Sequence, residues 1–418
     1  MAIAPYKGKN MINPLRGMKD LTFEESERFN YIIETATTIA KRYGYGYIET
    51  PILEETALFK RSVGDSSDIV SKEMYQFEDK GGNDVCMRPE GTAGVVRSFV
   101  HAKLDRQPMK QKFYYYGPMF RYERPQKGRL REFHQFGCES FGEASVYEDF
   151  TIITMISQIF EALGIGFDLQ INSLGCSECM PPYKQNLVGF LTNIKEELCE
   201  DCNRRIGTNP IRVLDCKNKT CQSLLVDSPK LIANLCEECD TDFKQLTKLL
   251  DTANIAYEVD TNLVRGLDYY SKTAFEFVSN NIGSQSAIAG GGRYDKLVEF
   301  LDGKPTPAVG FAIGIERIME LVVMPEVVRE GYYLGAMVPE AVEQLLTIAM
   351  AKRQTDKVTV EYASKGFRSH MKGADKAHAR YALLIGEDEL ANGTVWVKDL
   401  ISKEEKISHW ADHIFAEE

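Results

Sequence analysis

Gly117-Pro118-Met119-Phe120-Arg121-Tyr122-Glu123-Arg124 lies within a stretch that predicts a long β-hairpin. Residues 113–121 and 133–140 each alternate apolar and polar side chains, which is the period of a half-buried strand. Between them lies the polar loop 123–131, with Lys127-Gly128-Arg129 at its tip. We therefore expect two antiparallel strands joined by a long loop.

Polar side chains on this hairpin are candidates for a binding site. Period two places Arg121 and Glu123 on one face of the first strand, and Gln135, Gly137 and Glu139 on one face of the returning strand. Glycine leaves space between two hydrogen-bonding side chains, as the floor of a small-molecule pocket requires. The alternative is a ladder of ion pairs on a solvated sheet, which the alternation also permits.

The rest of the chain mixes strands and helices without strict alternation. At residues 325–331, charged residues and glycine interrupt the pattern of apolar residues. Helical spacing covers residues 23–43, 150–163 and 313–323; strand patterns cover 47–53 (interrupted by Pro51), 167–172, 257–259, 270–278 and 286–289. This order favours an α+β sheet domain over residues 1–325 and argues against an alternating parallel fold. Beyond the break, strands 333–338, 358–362, 381–385 and 393–399 alternate with helices 341–352 and 369–380, which predicts a compact α/β domain over residues 331–418.

Size and charge exclude some classes of function. A chain of 418 residues exceeds what one core usually serves, so two or three domains are expected. The formal net charge of −11 gives no overall attraction to a polyanion, so any contact with nucleic acid must use local basic patches. No stretch of apolar residues is long enough for a membrane span. We expect a cytoplasmic protein that makes no membrane contact.

Eight of the ten cysteines crowd into residues 176–239, within a module expected at residues 176–240. They form four pairs: Cys176 and Cys179, Cys199 and Cys202, Cys216 and Cys221, Cys236 and Cys239. In a reducing compartment such crowding favours metal or free thiols over disulfides. Two short cysteine loops can complete one tetrahedral zinc site, so the set can make two structural Zn²⁺ sites. Chain closure favours the outer pairs meeting at the base of the module and the inner pairs at its tip. Buried free thiols and redox chemistry are the alternatives.

Two glycine- and tyrosine-containing segments suggest a pocket for an anion and a small aromatic ligand. Arg265-Gly-Leu-Asp-Tyr-Tyr places a cation beside two phenols, Tyr269 and Tyr270. Twenty residues later, Gly290-Gly291-Gly292-Arg293-Tyr294-Asp295 offers a glycine-lined wall. Taken singly, the first segment can be a buried strand and the second a turn, with Tyr294 packing that turn.

Two further segments carry polar groups beside glycines. In Met87-Arg88-Pro89-Glu90-Gly91-Thr92 a carboxylate and a hydroxyl stand two residues apart, a pair that can hold an ammonium group. The alternative is a surface turn. In Gly310-Phe311-Ala312-Ile313-Gly314-Ile315-Glu316-Arg317 a strand is expected to run into a helix, with Arg317 near the helix N-terminus, where anions are favoured. An arginine there is also compatible with a solvated side chain.

Together, the segments at 265–270 and 290–295 resemble the two signature segments of histidyl-tRNA synthetases. Residues 120–139 resemble motif two of class II aminoacyl-tRNA synthetases, and residues 310–317 resemble motif three. The resemblance runs from about Asn13 to near the C-terminus, and the cysteine-rich insertion is its least typical part. It implies a class II antiparallel-sheet catalytic domain with this insertion, followed by an α/β anticodon-binding domain. The implied activity is ATP-dependent activation of L-histidine and its transfer to histidine tRNA.

The resemblance also implies roles for individual residues. Glu90, Thr92 and Gln135 would hold the α-amino group of histidine, Glu139 with Tyr269 and Tyr270 its imidazole, and Tyr294 would close the pocket. Arg121 and Glu123 would contact the α-phosphate and adenine of ATP, and Arg129 and Arg317 its outer phosphates. Arg265 would be the second catalytic cation, opposite Arg121. Mg²⁺ would accompany the outer phosphates, and the family implies a homodimer whose contact lies around Pro51.

The C-terminal domain contains a candidate RNA contact. Arg368, Lys372, Lys376 and Arg380 recur every four residues, which predicts one basic stripe on a helix. A solvated face is the competing interpretation, and the resemblance to an anticodon-binding domain favours phosphate contact.

Three rival functions remain in view. They are a histidine-binding regulatory paralog such as the synthetase-like subunit of ATP phosphoribosyltransferase, a synthetase for another amino acid, and an RNA-binding zinc protein with a relic active site. Retention of Arg121, Arg265 and Arg317 disfavours the last.

Overall fold

A computed structural model describes residues 12–64, 67–214, 216, 218–264, 267–279 and 287–414. The chain divides into two compact units, Met1–Met324 and Pro325–Glu418. In the described part of the first unit the helices are α1 (Glu24–Arg42), α2 (Thr56–Val63), α3 (Thr92–His101), α4 (Tyr147–Ala162), α5 (Met180–Asn193), α6 (Glu200–Thr208), α7 (Lys219–Leu224), α8 (Glu237–Thr252), α9 (Leu297–Phe300) and α10 (Ile315–Met319). Its strands are β1 (Gly46–Tyr47), β2 (Leu53–Glu55), β3 (Gln76–Glu78), β4 (Asp84–Met87), β5 (Gln111–Phe120), β6 (Glu132–Phe141), β7 (Asp168–Ser173), β8 (Glu258–Val259), β9 (Ser271–Val278), β10 (Ala287–Arg293) and β11 (Ala308–Gly314).

An eight-stranded sheet forms the centre of the first unit, in the order β1-β5-β6-β11-β10-β9-β7-β8. The pairs from β5 to β7 are antiparallel, and only the outer pairs β1–β5 and β7–β8 are parallel. The hairpin β5–β6 keeps an unbroken register from Gln111–Phe141 to Phe120–Glu132. A separate three-stranded sheet, β2-β4-β3, stands beside it.

The two faces of the large sheet differ in their side chains, because one is apolar and the other carries polar groups. Helices α1 and α4 pack on one face, where Phe136, Cys138 and Phe311 point into a large apolar core. Helix α1 forms because apolar residues recur on one face and the charges suit the helix dipole, with three glutamates in the first turn and Lys41 and Arg42 in the last. Because side chains alternate along β6, Gln135, Gly137 and Glu139 point to the opposite face, as expected.

Three boundaries within the first unit differ from the sequence expectations. Residues 47–53 are not one strand: β1 joins the large sheet and β2 the small one, because Pro51 lies between them and cannot donate a ladder hydrogen bond. Strand β5 ends at Phe120, so Arg121 and Glu123 belong to the loop. The helix expected from residue 313 begins at Ile315, because β11 extends to Gly314.

The glycine-rich segment is a central strand and not a turn. Gly290, Gly291 and Gly292 pair with β11 on one side and β9 on the other. A Cβ at Gly291 would collide with the carbonyl oxygen of Gly310 on the neighbouring strand. The glycines are therefore required where backbones and side chains crowd, which is why the segment lacks an apolar strand pattern.

The second unit has a five-stranded sheet in the order β13-β12-β14-β15-β16. Its elements are β12 (Tyr332–Ala336), α11 (Val342–Lys352), β13 (Val358–Glu361), α12 (Phe367–Lys376), β14 (Tyr381–Ile385), α13 (Glu387–Asn392), β15 (Thr394–Asp399) and β16 (Glu405–His409). Helix α12 ends at Lys376, so the expected four-residue stripe is wrong at its last member. Arg380 lies beyond a turn, beside Asp399 at 3.5 Å and over the ring of Tyr381. Within the described ranges of both units, no helix has the length and apolarity needed to cross a membrane.

Candidate active site

A cleft with a volume of about 240 Å³ opens on the sheet face that α1 and α4 leave free. Its lining comes from the loop before α3, the β5–β6 hairpin, the segment after residue 266, strands β9–β11 and the start of α10. The predicted site residues on this lining are Glu90, Thr92, Arg121, Glu123, Arg129, Gln135, Tyr269, Tyr270 and Arg317. Elements distant in sequence therefore converge on one cavity. The predicted cation Arg265 lies outside the described residues.

Glu90 presents a buried carboxylate at one wall of the cleft. Its oxygens accept hydrogen bonds from the backbone N–H groups of Thr92 (2.7 Å) and Ala93 (2.9 Å), so it caps the N-terminus of α3. Burial raises the pKa of Glu90, although these bonds and nearby Arg121 oppose that rise. A buried carboxylate of this kind gains from a cationic ligand.

Two polar atoms near Glu90 are left for a ligand. Within the described residues, neither Gln135 Oε1 nor the Tyr269 hydroxyl has a hydrogen-bond partner, although both atoms are buried. Buried polar atoms in folded proteins are nearly always hydrogen-bonded. This wall therefore suits a small polar ligand that supplies the missing partners.

Glu139 lies behind this wall and does not line the cleft. Its carboxylate is fully buried and accepts hydrogen bonds from Thr92 Oγ1 (2.7 Å), the Tyr115 hydroxyl (3.2 Å) and the Tyr294 hydroxyl. Burial raises the pKa of Glu139 to about 8, even though these hydroxyls favour the ionised form. Tyr294 is likewise buried and absent from the lining. The structure therefore places Glu139 one hydrogen bond behind Thr92, and Tyr294 one hydrogen bond behind Glu139.

Three guanidinium groups share the other part of the cleft. Burial lowers the pKa of Arg317, and the charges of Arg129 and Arg121 lower it further, which shows that the three cations feel one another. Burial, and to a smaller extent the charge of Arg121, lowers the pKa of Arg129, although Glu73 opposes this shift. Arg121 donates from Nε to the carbonyl oxygen of Pro89 (2.9 Å) and stacks on Phe133. Like charges held together in a partly buried site indicate a polyanionic ligand.

The hairpin loop is held in a defined shape above the cleft. Arg129 forms an ion pair with Glu123, and Arg131 donates to the carbonyl oxygen of Glu123 at 3.1 Å. The guanidinium of Arg131 also lies 3.8 Å from the ring centre of Tyr122. Glu123 and Arg129, predicted to bind different parts of one ligand, are thus partners of each other.

Three residues in or beside the cleft were not predicted from the sequence. Tyr115 shares the buried Glu139, and the period-two pattern of β5 would have placed it on the pocket face. Glu316 accepts bonds from the backbone N–H (2.9 Å) and the ring Nδ1 (2.8 Å) of His134, which ties α10 to the hairpin. Glu276, on β9, lines the cleft beside Arg317. No local sequence signal distinguishes the last two residues from solvated carboxylates.

The eight cysteines of the insertion come together as two sets. The outer set is Cys176, Cys179, Cys236 and Cys239, and the inner set is Cys199, Cys202, Cys216 and Cys221; within each set all sulfurs lie within 4.8 Å of one another. Neighbouring sulfurs are 3.7–3.8 Å apart. Four sulfurs at about 2.3 Å from one zinc ion form a tetrahedron with edges of about 3.8 Å.

Backbone N–H groups point at sulfurs in both sets. Cys236 N donates to Cys179 Sγ (3.1 Å) in the outer set, and Cys199 N donates to Cys221 Sγ (3.3 Å) in the inner set. Such donors stabilise thiolates that are bound to a metal. The residues present therefore fit a tetrahedral metal ion in each set.

Comparison with known proteins gives a consistent result. The family model described as histidyl-tRNA synthetase matches residues 17–178 and 219–318. The chain is 85% identical over 396 residues to the histidine--tRNA ligase of a Sulfurovum species, covering 95% of this chain and 98% of the relative. The corresponding ligase of Sulfurimonas denitrificans is 64% identical over 396 residues, covering 95% of this chain and 98% of the relative.

A solved structure is similar over nearly the whole chain. The apo histidyl-tRNA synthetase of S. aureus superposes with a TM-score of 0.80 at 32% identity, covering 97% of this chain and 99% of that chain. The α+β class expected from the sequence is confirmed by this likeness and by the antiparallel sheet. Part of the cysteine-rich insertion, residues 179–218, falls between the two segments that the family model matches.

Proposed function

The chain belongs to the histidyl-tRNA synthetase family, and we propose that it is a histidine--tRNA ligase whose cleft forms histidyl-adenylate from L-histidine and ATP. In the first step a carboxylate oxygen of histidine attacks the α-phosphorus, and the bond to pyrophosphate breaks. In the second step the terminal ribose hydroxyl of histidine tRNA attacks the activated carbonyl, and AMP leaves. The contents of the cleft support the first step, and membership of the family supports both.

One observation carries the proposal: Arg121 lines the same cavity as the Glu90 carboxylate and the Arg317 guanidinium. Its charge acts on both groups, favouring the ionised form of Glu90 and lowering the pKa of Arg317. The bond to be made joins the amino acid to the α-phosphate, so the catalytic cation belongs at this junction. The substrate carboxylate is itself the nucleophile, and the protein must only stabilise charge as the phosphorus becomes pentacoordinate.

The histidine end is assigned to the carboxylate wall. Glu90 would pair with the ammonium group of histidine, assisted by Gln135 and by Thr92, whose hydroxyl hydrogen donates to Glu139 and leaves lone pairs available. Tyr269 and Tyr270 would contact the imidazole, while Glu139, which the resemblance assigns to the same ring, would act from the buried layer behind Thr92 together with Tyr294. A ligand lacking either ring nitrogen would leave a buried polar group unpaired, and this is the basis of the proposed specificity.

The nucleotide end is assigned to the cationic wall. Arg121 would meet the α-phosphate, with Arg265 on its other side, while Arg129 and Arg317 would meet the outer phosphates and Glu123 the adenine. Mg²⁺ prefers carboxylate and phosphate oxygens, and Glu276 is a carboxylate on this wall that would help to hold the ion. When bound, the ion would neutralise charge on the departing pyrophosphate.

Pyrophosphate exchange into ATP, measured with a panel of amino acids, tests the proposed function. We expect exchange with L-histidine alone, because only histidine can satisfy both an ammonium site and two imidazole partners. Histidinol, which lacks the nucleophilic carboxylate, should inhibit exchange without supporting it. Exchange that depends on another amino acid, or none with histidine, would contradict the assignment.

The sequence predicts an anticodon-binding domain over residues 331–418, which lies within the second unit. We propose that this domain binds the anticodon region of the tRNA. Its exposed Arg368, Lys372 and Lys376 on α12 support a phosphate contact on an otherwise acidic protein. We further propose that the enzyme is a cytoplasmic homodimer that takes part in translation. The proposed compartment is reducing, which suits thiolate-rich metal sites.

We also propose that both cysteine sets hold structural Zn²⁺. Sulfur spacing and the backbone donors to Cys179 and Cys221 support this choice over free thiols. Elemental analysis of protein purified without added zinc should find two zinc ions per chain. A metal-free protein with eight freely titratable thiols in this module would contradict it.

A further inference from the structure

The inner cysteine set holds both ends of one short piece of the insertion. Cys199 and Cys202 lie at the start of α6, and Cys216 follows the 3-10 helix Pro210–Val213. We call residues 199–216 the clamped segment; all of it except residue 215 is described. Among the residues of α6, only Cys202 is buried. The buried residues of the described clamped segment are Cys202, Pro210, Val213 and Cys216, so two of these four side chains belong to the inner set, and the position of the segment depends strongly on its sulfurs.

Three side chains of the clamped segment reach across to the catalytic part of the unit. Arg205 donates from Nη2 to Asp68 Oδ2 at 3.1 Å. Asn209 Nδ2 and Arg212 Nε donate to the same oxygen of Asp268, at 3.0 and 3.2 Å. Arg205 also donates to the carbonyl oxygen of Arg212 at 3.2 Å, so the three contacts are tied into one network.

Asp268 connects this network to the proposed histidine pocket. It directly precedes Tyr269 and Tyr270, both on the cleft lining. Its other carboxylate oxygen lies so close to Gly64 that a Cβ there would be 2.6 Å away. The ring of Tyr270 packs against the core of the catalytic sheet and against the core of the insertion. A displacement of the clamped segment would therefore move the two tyrosines.

We propose that the inner set is a metal-dependent positioning site for amino acid binding. When it holds its metal, it fixes Asn209 and Arg212, which fix Asp268 and thereby the rings of Tyr269 and Tyr270. Asn209 and Arg212 are positioning residues, since they touch Asp268 and do not line the cleft. The inference rests on the proposed function, because it assigns the two tyrosines to histidine. Loss of the metal should weaken histidine binding and leave ATP binding unchanged.

Substitutions in the clamped segment test the network without touching a sulfur. Arg212→Ala and Asn209→Ala should each raise the KM for histidine by about tenfold, with kcat and the KM for ATP altered far less. Arg204→Ala is the matched control: its side chain pairs with Asp201 on the exposed side of the same helix. This control substitution should change none of the three constants, namely kcat, the KM for histidine and the KM for ATP. An equal rise in both substrates' KM values, or no rise for histidine, would overturn the proposal.

Removal of the metal tests the same link through a binding signal. Cys216→Ser should lower the zinc content from two ions to one, weaken histidinol binding in calorimetry, and speed amide hydrogen exchange at residues 267–270 but not in β10 or β11. If that variant fails to fold, wild-type protein depleted by a mild chelator serves instead. One-zinc protein with unchanged histidinol affinity and unchanged exchange at 267–270 would refute the proposal. If pyrophosphate exchange does not depend on histidine, that result refutes only the proposed function. The comparison of amide hydrogen exchange at residues 267–270 still tests whether the inner set positions this segment.

Discussion

Arg121 connects the two kinds of chemistry in the cleft, because it interacts with the Glu90 carboxylate and with the Arg317 guanidinium. Its side chain is held by the carbonyl oxygen of Pro89 and by the ring of Phe133. A cation fixed in this way needs no rearrangement when negative charge develops on a substrate. The residue is therefore suited to stabilise a transition state.

Replacing this cation should slow activation strongly without unfolding the protein. Arg121→Ala is expected to lower the rate of pyrophosphate exchange by about 10² to 10³, or roughly 3 to 4 kcal/mol, as for other preorganised donors. Arg124→Ala, an exposed arginine of the same loop, is the matched control and should retain the wild-type rate. We expect the same loss for Arg265→Ala. Near-normal exchange by well-folded Arg121→Ala protein would contradict the assigned role.

The carboxyl group of Glu139 should make stability depend on pH. Its pKa is about 8 in the folded protein against a reference of 4.5, so the folded state binds a proton that the unfolded state releases. Stability from this group is present below pH 4.5 and is lost as pH rises through 8, by up to about 1.4 kcal/mol per pH unit between those values.

Glu139→Gln should remove that slope while keeping the acceptor for Thr92. Urea unfolding at pH 6 and pH 8, without histidine, should show a larger loss of unfolding free energy for the wild type than for the variant. Identical losses would mean that the carboxyl group is already ionised at pH 6.

At the scale of elements, the neighbouring strands β6 and β11 depend on glycine where they cross the site. A Cβ at Gly310 on β11 would collide with the carboxylate of Glu139 on β6 and lie 2.7 Å from the carbonyl oxygen of Cys138. Gly137 similarly makes room for the ring of Tyr115. The buried polar layer behind the cleft therefore exists only because these strands omit side chains.

Gly310→Ala should destabilise the first unit by about 1 to 3 kcal/mol, because the added methyl group must displace Glu139 or the backbone. Gly314→Ala is the matched control at the end of the same strand, where a Cβ would lie 3.8 Å from Arg317 Cδ, an ordinary contact. Thermal unfolding of both variants measures the difference. Equal midpoints would show that the sheet can open at Gly310 without penalty.

Sequence patterns predicted elements well where one period dominated. Helix α1 and the hairpin β5–β6 agree with expectation to within a few residues, because burial of one face imposes their spacing. Strand β10 carries three glycines and therefore no apolar alternation, so its pattern resembled a turn. Strand β16 was missed because its side chains are almost all exposed.

At the scale of the whole molecule, the candidate site could be predicted only in part. Residue types and local spacing indicated Glu90 and Arg317 as polar groups beside glycines, and Arg121 as a polar group on the hairpin. Their meeting in one cavity follows from strand order, which no local pattern contains. The family resemblance supplied that link. The burial of Glu139 and the clamped segment's contacts with Asp68 and Asp268 required the structure itself.

The proposed tRNA contact belongs to the second unit. Lys372→Glu, on the exposed face of α12, should slow charging of histidine tRNA several-fold at low salt, because it reverses a phosphate-attracting charge. Pyrophosphate exchange needs no tRNA and should be unaffected. Lys406→Glu, on β16, makes the same charge change at another exposed position and is the control. Equal effects of both substitutions would indicate general charge repulsion instead of a specific surface.

The outer cysteine set brings together the point where the chain leaves strand β7 of the catalytic sheet and the point where it enters helix α8, which leads back to strand β8. Cys176 and Cys236 are 60 positions apart in sequence, yet their sulfurs are separated by 3.7 Å. An insertion whose first and last residues are this close together can be gained, shortened or exchanged during evolution without disturbing strand pairing on either side. The same closeness makes it a natural location for grafting a foreign domain, with a brief bridging turn in place of the excised residues.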